Sequence, residues 1–167
     1  LAATDEPLPV NIPPSVGITA PTNNATFTAP ATVALSTNAS DSDGTVSKVD
    51  FYQGTTLIGT VTSAPFNFNW TNVAAGSYSL TAKATADPGA VTDSAAVNIT
   101  VNNPAPTVSI TSPSNGTTVT APANFAINAS ASVGVGTISK VDFFQGTTLI
   151  GTVTSAPFNF NWNNVAA

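Results

Sequence analysis

With 167 residues, a net charge of −5 and only three basic residues (Lys48, Lys83 and Lys140), the chain lacks the clustered cations needed by nucleic-acid and anionic membrane partners. It contains no cysteine and no histidine, which excludes disulfide frameworks, thiolate metal sites and histidine general bases. Apolar residues make up 42% of the chain and charged residues only 7%, so a core is affordable and Thr, Ser and Asn must clothe the outside.

The chain opens on Leu1–Pro14, where Pro7, Pro9, Pro13 and Pro14 fix an extended backbone and Asp5 and Glu6 keep it solvated. This segment reads as a leader or linker. From Ser15 the pattern has period two: Val16 and Ile18 alternate with small residues, and Pro21-Thr22-Asn23-Asn24 makes a turn. Phe27 sits in a short piece stopped by Pro30. Val33, Leu35, Thr37 and Ala39 then share one face of a strand, and Asp41-Ser42-Asp43-Gly44 is a turn. Val49 and Phe51 take the core face of the next strand, with Lys48, Asp50 and Tyr52 expected on its exposed face. Gln53-Gly54-Thr55 turns the chain into Leu57–Thr62.

Phe66, Phe68 and Trp70 alternate with Asn67 and Asn69 in the clearest half-buried strand of the sequence. Tyr78, Leu80, Ala82 and Ala84 line one face of another, which Asp87-Pro88-Gly89 ends. Val97, Ile99 and Val101 form the last strand before a proline-bearing joint, Asn102–Pro106. No helical period of useful length occurs, and no stretch approaches the roughly 18 apolar residues of a membrane helix, so membrane insertion is not expected.

The pattern then restarts. Lys48–Trp70 returns as Lys140–Trp162 with one change, Tyr52 to Phe144, at an offset of 92 residues (Lys48 to Lys140). A period of that length means one small domain per repeat. Over Thr45–Ala75 against Thr137–Ala167, 28 of 31 positions are identical; over Pro14–Gly44 against Pro106–Gly136, 15 of 31 are. Some swaps in the divergent half are apolar for apolar, such as Val33/Phe125 and Leu35/Ile127, which keeps a core while changing its shape.

Short strands at turn-delimited spacing read as an antiparallel β-sandwich, and Gly76-Ser77-Tyr78-Ser79-Leu80 matches a tyrosine corner without its cysteine. Together with Pro14–Thr19, the Asp41–Thr45 loop, Val49-Asp50-Phe51-Tyr52, Leu57-Ile58-Gly59 and Pro65–Trp70, this resembles the bacterial immunoglobulin-like repeat. Such repeats occur in tandem in secreted glycoside hydrolases and large surface proteins, typically as spacers or stalks. The resemblance implies an all-β fold of tandem immunoglobulin-like antiparallel β-sandwiches, the second lacking its last two strands. It also implies an extracellular or cell-surface location, and no catalytic residues come with it. The expected layout is a leader over 1–14, a sandwich over 15–101, a linker over 102–106 and an incomplete second repeat over 107–167.

Three kinds of chemistry bear on this layout. Asp41, Asp43, Asp87 and Asp93 lie in or beside two loops and offer oxygen ligands to Ca²⁺, which takes six to eight. The plainer alternative is that Asp41 and Asp43 make local turns, since the second repeat has Val133 and Val135 in their places. Hydrolysis by paired carboxylates is disfavoured: Asp50 and Asp142 read as exposed partners of Lys48 and Lys140, and the abundant serines have no activating base. No cofactor is expected otherwise. Glycan binding is the alternative function, with Tyr52 and Gln53, and Phe144 and Gln145, as outward aromatic and amide pairs, whereas Trp70 and Trp162 belong to the core.

Asn24, Asn38 and Asn98 match the N-glycosylation pattern, as chance allows in so polar a chain. Lys48 and Lys83 fall on outward positions, which argues against a buried lysine crosslink. The expected role is a structural spacer, stalk or filament-forming array whose partners are neighbouring Ig-like domains of the same or another chain, with polysaccharide as the alternative partner. Pro104 and Pro106 are expected to stiffen the joint into an extended arrangement. The second repeat, lacking counterparts of Gly76–Val101, is expected to need strands from a continuation of the chain or from another subunit.

Overall fold

Ala31–Ser40 is a strand in which Ala31, Val33 and Leu35 are buried and Thr32 and Ala34 between them are exposed, as the pleat requires. The computed structural model to which it belongs describes residues 10–166, in two units divided between Asn103 and Pro104. Unit 1 contains β1 (Ser15–Ala20), β2 (Ala25–Thr28), β3 (Ala31–Ser40), β4 (Val46–Gln53), β5 (Thr56–Val61), β6 (Asn67–Val73), β7 (Gly76–Ala86), β8 (Val91–Asp93) and β9 (Val97–Asn102). One sheet has the order β1-β3-β6 and the other β2-β9-β7-β4-β5, with β8 also on β7. Between them Val33 and Leu35 meet Val49, Phe51, Leu80, Ala82, Ile99 and Val101 in one core. The fold class is the expected one, an all-β sandwich.

Two features depart from the sequence expectation. Strand β2 pairs with β9 in parallel, from Ala25 opposite Ile99 to Thr28 opposite Asn102. The chain leaves the first sheet after β1 and crosses to the second, and the crossing is pinned by Asn23 and Asn24. The Asn23 side chain accepts from the Asn98 N–H at 2.8 Å, and the Asn24 N–H donates to the Asn98 carbonyl at 2.7 Å. The second feature is β8, which shares one edge of the long strand β7 with β9. Strand β9 lies opposite Gly76–Leu80 and β8 opposite Lys83–Thr85. Ser94 carries the ladder between them, accepting from the Ala82 N–H through Oγ and donating its own N–H to the Ala82 carbonyl.

Local chemistry explains several positions. The Tyr78 hydroxyl donates to the Ala74 carbonyl at 2.9 Å, closing the tyrosine corner at the entry to β7, and its ring meets Trp70 edge-on at 5.0 Å. Trp70 is half-buried on the core face, opposite Val33. Gly59 faces the Phe68 ring so closely that a Cβ would run into it, and Phe68 in turn stacks on Phe51 at 5.6 Å. The joint between leader and sandwich is tied down: Pro14 is buried, and the Ile12 N–H donates to Asp43 Oδ2 at 2.9 Å. The remainder of the predicted leader, 1–9, lies outside the described residues.

Unit 2 repeats the layout with β10 (Thr107–Ser112), β11 (Ala123–Ser132), β12 (Val141–Gln145), β13 (Thr148–Val153) and β14 (Phe158–Val165). Its sheets are β10-β11-β14 and β12-β13, around Val141, Phe143 and Phe158. Gly151 lies under Phe160 as Gly59 lies under Phe68. Two stretches that are strands in unit 1 are not strands here. Ile138–Lys140 is irregular whereas Val46–Lys48 opens β4, because in unit 1 those residues pair only with β7. Thr117–Thr120 is irregular whereas Ala25–Thr28 is β2, because β2 pairs only with β9. Similar sequence therefore takes a different local structure where the strand it pairs with in unit 1 has no counterpart among the described residues.

Candidate functional site

The side chains with most chemistry in unit 1 converge on the outer face of β4. Lys48, Asp50 and Tyr52 share that face at the period of two, with Thr60 of β5 opposite Asp50 on one side and Lys83 of β7 opposite it on the other. Asp50 was expected to be exposed; it is 5% exposed. The neighbouring strands supply the cover, since Asp50 sits mid-sheet beneath longer side chains. Lys48 Nζ donates to Asp50 Oδ2 at 2.6 Å and Thr60 Oγ1 donates to Oδ1 at 2.6 Å. Burial acts to raise the Asp50 carboxyl, but the hydrogen bonds from Lys48 and Thr60 and the charges of Lys48 and Lys83 outweigh it and hold the group below its ordinary range. The same hydrogen bond raises the Lys48 ammonium above its ordinary value. A carboxylate held ionised and bonded at both oxygens is a poor general acid or base.

Beside this cluster, Tyr52, Gly54, Thr55, Thr81, Lys83 and Asp93 line a shallow recess of about 330 Å³. Lys83 Nζ stands 5.7 Å from the Tyr52 ring centroid and 3.6 Å from Asp93 Oδ1. Tyr52 and Gln53 are both half-buried, so the predicted outward platform is partly covered by a lysine that the sequence pattern did not bring near it. Only the register of β4 against β7 places Lys83 there, and that register is not visible in either strand alone.

Among the described residues, nothing covers the equivalent face of unit 2 in that way. Phe144 is 58% exposed and Gln145 is exposed beside it. Asp142 keeps its partners, accepting from Lys140 at 2.6 Å and from Thr152 at 2.6 Å, and these bonds hold its carboxyl below the ordinary range. Trp162 stacks on Phe125 at 6.0 Å and is half-buried.

The four aspartates considered for calcium are not gathered together. Asp41 and Asp87 both border Gly44, where a Cβ would lie 3.4 Å from the Asp41 carboxyl carbon and 3.0 Å from the Asp87 carbonyl oxygen. The Asp43 N–H donates to Asp41 Oδ1 at 3.2 Å, as in a local turn, while its carboxylate Oδ2 accepts from Ile12. Asp87 accepts from Thr45 Oγ1 at 3.2 Å, while Asp93 faces Lys83 on the other side of the loop. Among the described residues, no group of three or more His, Cys, Asp or Glu stands close enough to hold a metal ion. No helix of the described residues is long and apolar enough to cross a membrane.

A family model described as bacterial Ig domain matches residues 14–82 and 106–167. The chain belongs to the bacterial Ig domain family. Both units of this bacterial Ig protein are covered, the first through most of β7 and the second through β14. It is similar to the fibronectin(III)-like modules of Clostridium thermocellum CbhA, with 34% identity over 90% of this chain and 80% of that one and a TM-score of 0.51.

A structure from a study of promiscuous carbohydrate-binding modules of the β-sandwich superfamily is 20% identical over 72% of this chain and 49% of that one, with a TM-score of 0.44. An engineered protein is 22% identical over 55% of this chain and 21% of that one, with a TM-score of 0.39. At those scores the last two likenesses carry no functional argument. No curated protein matches the chain. Bacterial Ig and fibronectin(III)-like domains are commonly extracellular or surface modules and are typically non-catalytic.

Proposed function

We propose that the chain is a non-catalytic extracellular spacer, in which Ig sandwiches set the distance between what lies on either side of them. The observation that supports this is the repeat itself. One sandwich layout is written twice across a short joint, and its outward polar groups are engaged with one another: Lys48 with Asp50, Thr60 with Asp50, Lys83 with Asp93. Neighbouring Ig-like domains are then the natural partners. Pro104 and Pro106 limit the torsional freedom of the joint.

The absence of native cysteine makes a distance measurement simple. Thr62→Cys and Thr154→Cys, both at exposed positions, carry spin labels for pulsed dipolar spectroscopy. The expected result is one narrow distance distribution that broadens when Pro104 and Pro106 are replaced by glycine. An unchanged chain as broad as the glycine variant would contradict a spacer role.

A second reading, glycan binding, is favoured by the recess beside Tyr52 and by the exposed Phe144–Gln145 pair. The Lys83 ammonium over the Tyr52 ring weighs against stacking of a sugar on that face. One such aromatic per unit is a thin platform, and scattered surface aromatics are ordinary.

A further inference from the structure

Among the described residues only β2 and β9 pair in parallel, and that pair joins the first part of unit 1 to its last. Ala25 lies opposite Ile99 and Thr28 opposite Asn102. The chain reaches β2 from β1 and leaves β9 through Asn103 toward the second unit. Tension along the chain therefore pulls β2 from its Ala25 end and β9 from its Asn102 end. In a parallel pair those two ends lie at opposite ends of the shared ladder. The load then runs along the strands and across the hydrogen bonds, so the evenly spaced bonds of the ladder share it. An antiparallel pair of entry and exit strands would set the two loaded ends side by side. Its bonds would open one after another.

The ladder is closed at both ends. At the entry, the Asn24 N–H donates to the Asn98 carbonyl at 2.7 Å and the Asn98 N–H donates to Asn23 Oδ1 at 2.8 Å. At the exit, the Ala29 N–H donates to the Asn102 carbonyl at 2.8 Å. Behind the ladder Phe27 packs against the core, and Ile99 and Val101 are each 2% exposed. A slip of one residue would turn such side chains to the wrong face, so the two strands cannot creep past one another. They must part together. Strand β1 offers the load no way round. It precedes β2 and pairs with β3 in the other sheet, so its detachment leaves β2 on β9 and hands the load to that pair.

We propose that unit 1 bears tension: the β2–β9 pair is a clamp that must shear before the sandwich opens, and Asn23 is the side chain that locks its entry end. The proposal rests on the reading of the chain as a spacer and adds that the spacing is held under load. Asn23 is a positioning residue in this account. By holding the Asn98 N–H it keeps the start of β9 in register with β2, so the first bonds of the ladder take up load with the last.

Single-molecule pulling on the whole chain, Leu1–Ala167, tests this in two directions, with handles on introduced cysteines. Val10→Cys with Asn103→Cys, both at exposed positions, loads unit 1 along the chain. Ala75→Cys with Asn103→Cys instead draws apart the neighbouring ends of β7 and β9, where Gly76 lies opposite Val101, and unzips them. The fold under load is the same in both, so equilibrium stability does not separate the two directions. The in-line direction is expected to need at least about twofold more force at one loading rate, because forced rupture follows the unfolding barrier. Asn23→Ala is expected to lower the in-line force and leave the unzipping force unchanged, since Asn98 lies at the far end of β9 from Asn103. Equal rupture force in both directions overturns the clamp, as does an in-line force that Asn23→Ala leaves intact. Either failure leaves the spacer reading standing, because a spacer is judged by its distance distribution and not by its strength. A broad distribution in a chain with a strong clamp would sink the spacer reading alone.

Discussion

Thr60 of β5 donates a 2.6 Å hydrogen bond to Asp50 of β4, directly opposite it across the ladder, and so completes the coordination of a buried carboxylate whose other oxygen is held by Lys48. The folded state holds Asp50 below its ordinary pKa, so its contribution to stability is fully present above the unfolded value of about 3.9 and is lost as pH falls through the lower folded value. Asp50→Asn is expected to cost about 1.5–3 kcal/mol at pH 7, the range for hydrogen bonds to charged groups. The gap between the two proteins should be level from neutral pH down to about pH 5 and shrink below about pH 4. Urea unfolding in a Trp162→Phe background, where Trp70 alone reports, measures it. A gap as wide at pH 2.5 as at pH 7 would show that the charge on Asp50 contributes nothing.

Gly59 has no room for a side chain because Phe68 lies on it. Gly59→Ala is expected to destabilise unit 1 by about 1–3 kcal/mol, the usual cost of overpacking. Phe68→Leu in the same chain should recover part of that loss, since the two positions share one space. Strictly additive losses in the double mutant would mean that the Phe68 ring is not what excludes a Cβ.

Calcium enters as a negative expectation. The carboxylates of Asp43 and Asp93 are turned to Ile12 and Lys83, away from those of Asp41 and Asp87. Chelation with EDTA should therefore leave the melting temperature of unit 1 unchanged, and added Ca²⁺ should not raise it. A rise that Asp41→Asn abolishes would restore the metal reading.

Much of this fold is legible in the sequence because the signals are local. Alternation alone marks β3, β6 and β7, and Gly76-Ser77-Tyr78 marks the corner that the Tyr78 hydroxyl closes. What escapes the sequence depends on partners distant in the chain. Three residues, Val91–Asp93, become a strand only because β7 extends beyond β9 and leaves an edge to pair with. The burial of Asp50 comes from flanking strands, so the period of β4, which correctly assigns it to the outer face, says nothing of its exposure. The candidate glycan platform fares the same way: Tyr52 is on the face that periodicity gives it, but the lysine above its ring is 31 positions further on, at Lys83.

The claim that this bacterial Ig chain spaces its neighbours and does not itself hold a glycan is tested most directly by co-sedimentation with insoluble polysaccharides. Leu1–Ala167 would be incubated with cellulose, xylan and chitin beside a non-binding control protein. The account predicts that the chain stays in solution to the same extent as the control on all three. Saturable depletion by any of them, lost in a Tyr52→Ala, Phe144→Ala double mutant that remains folded, would contradict it.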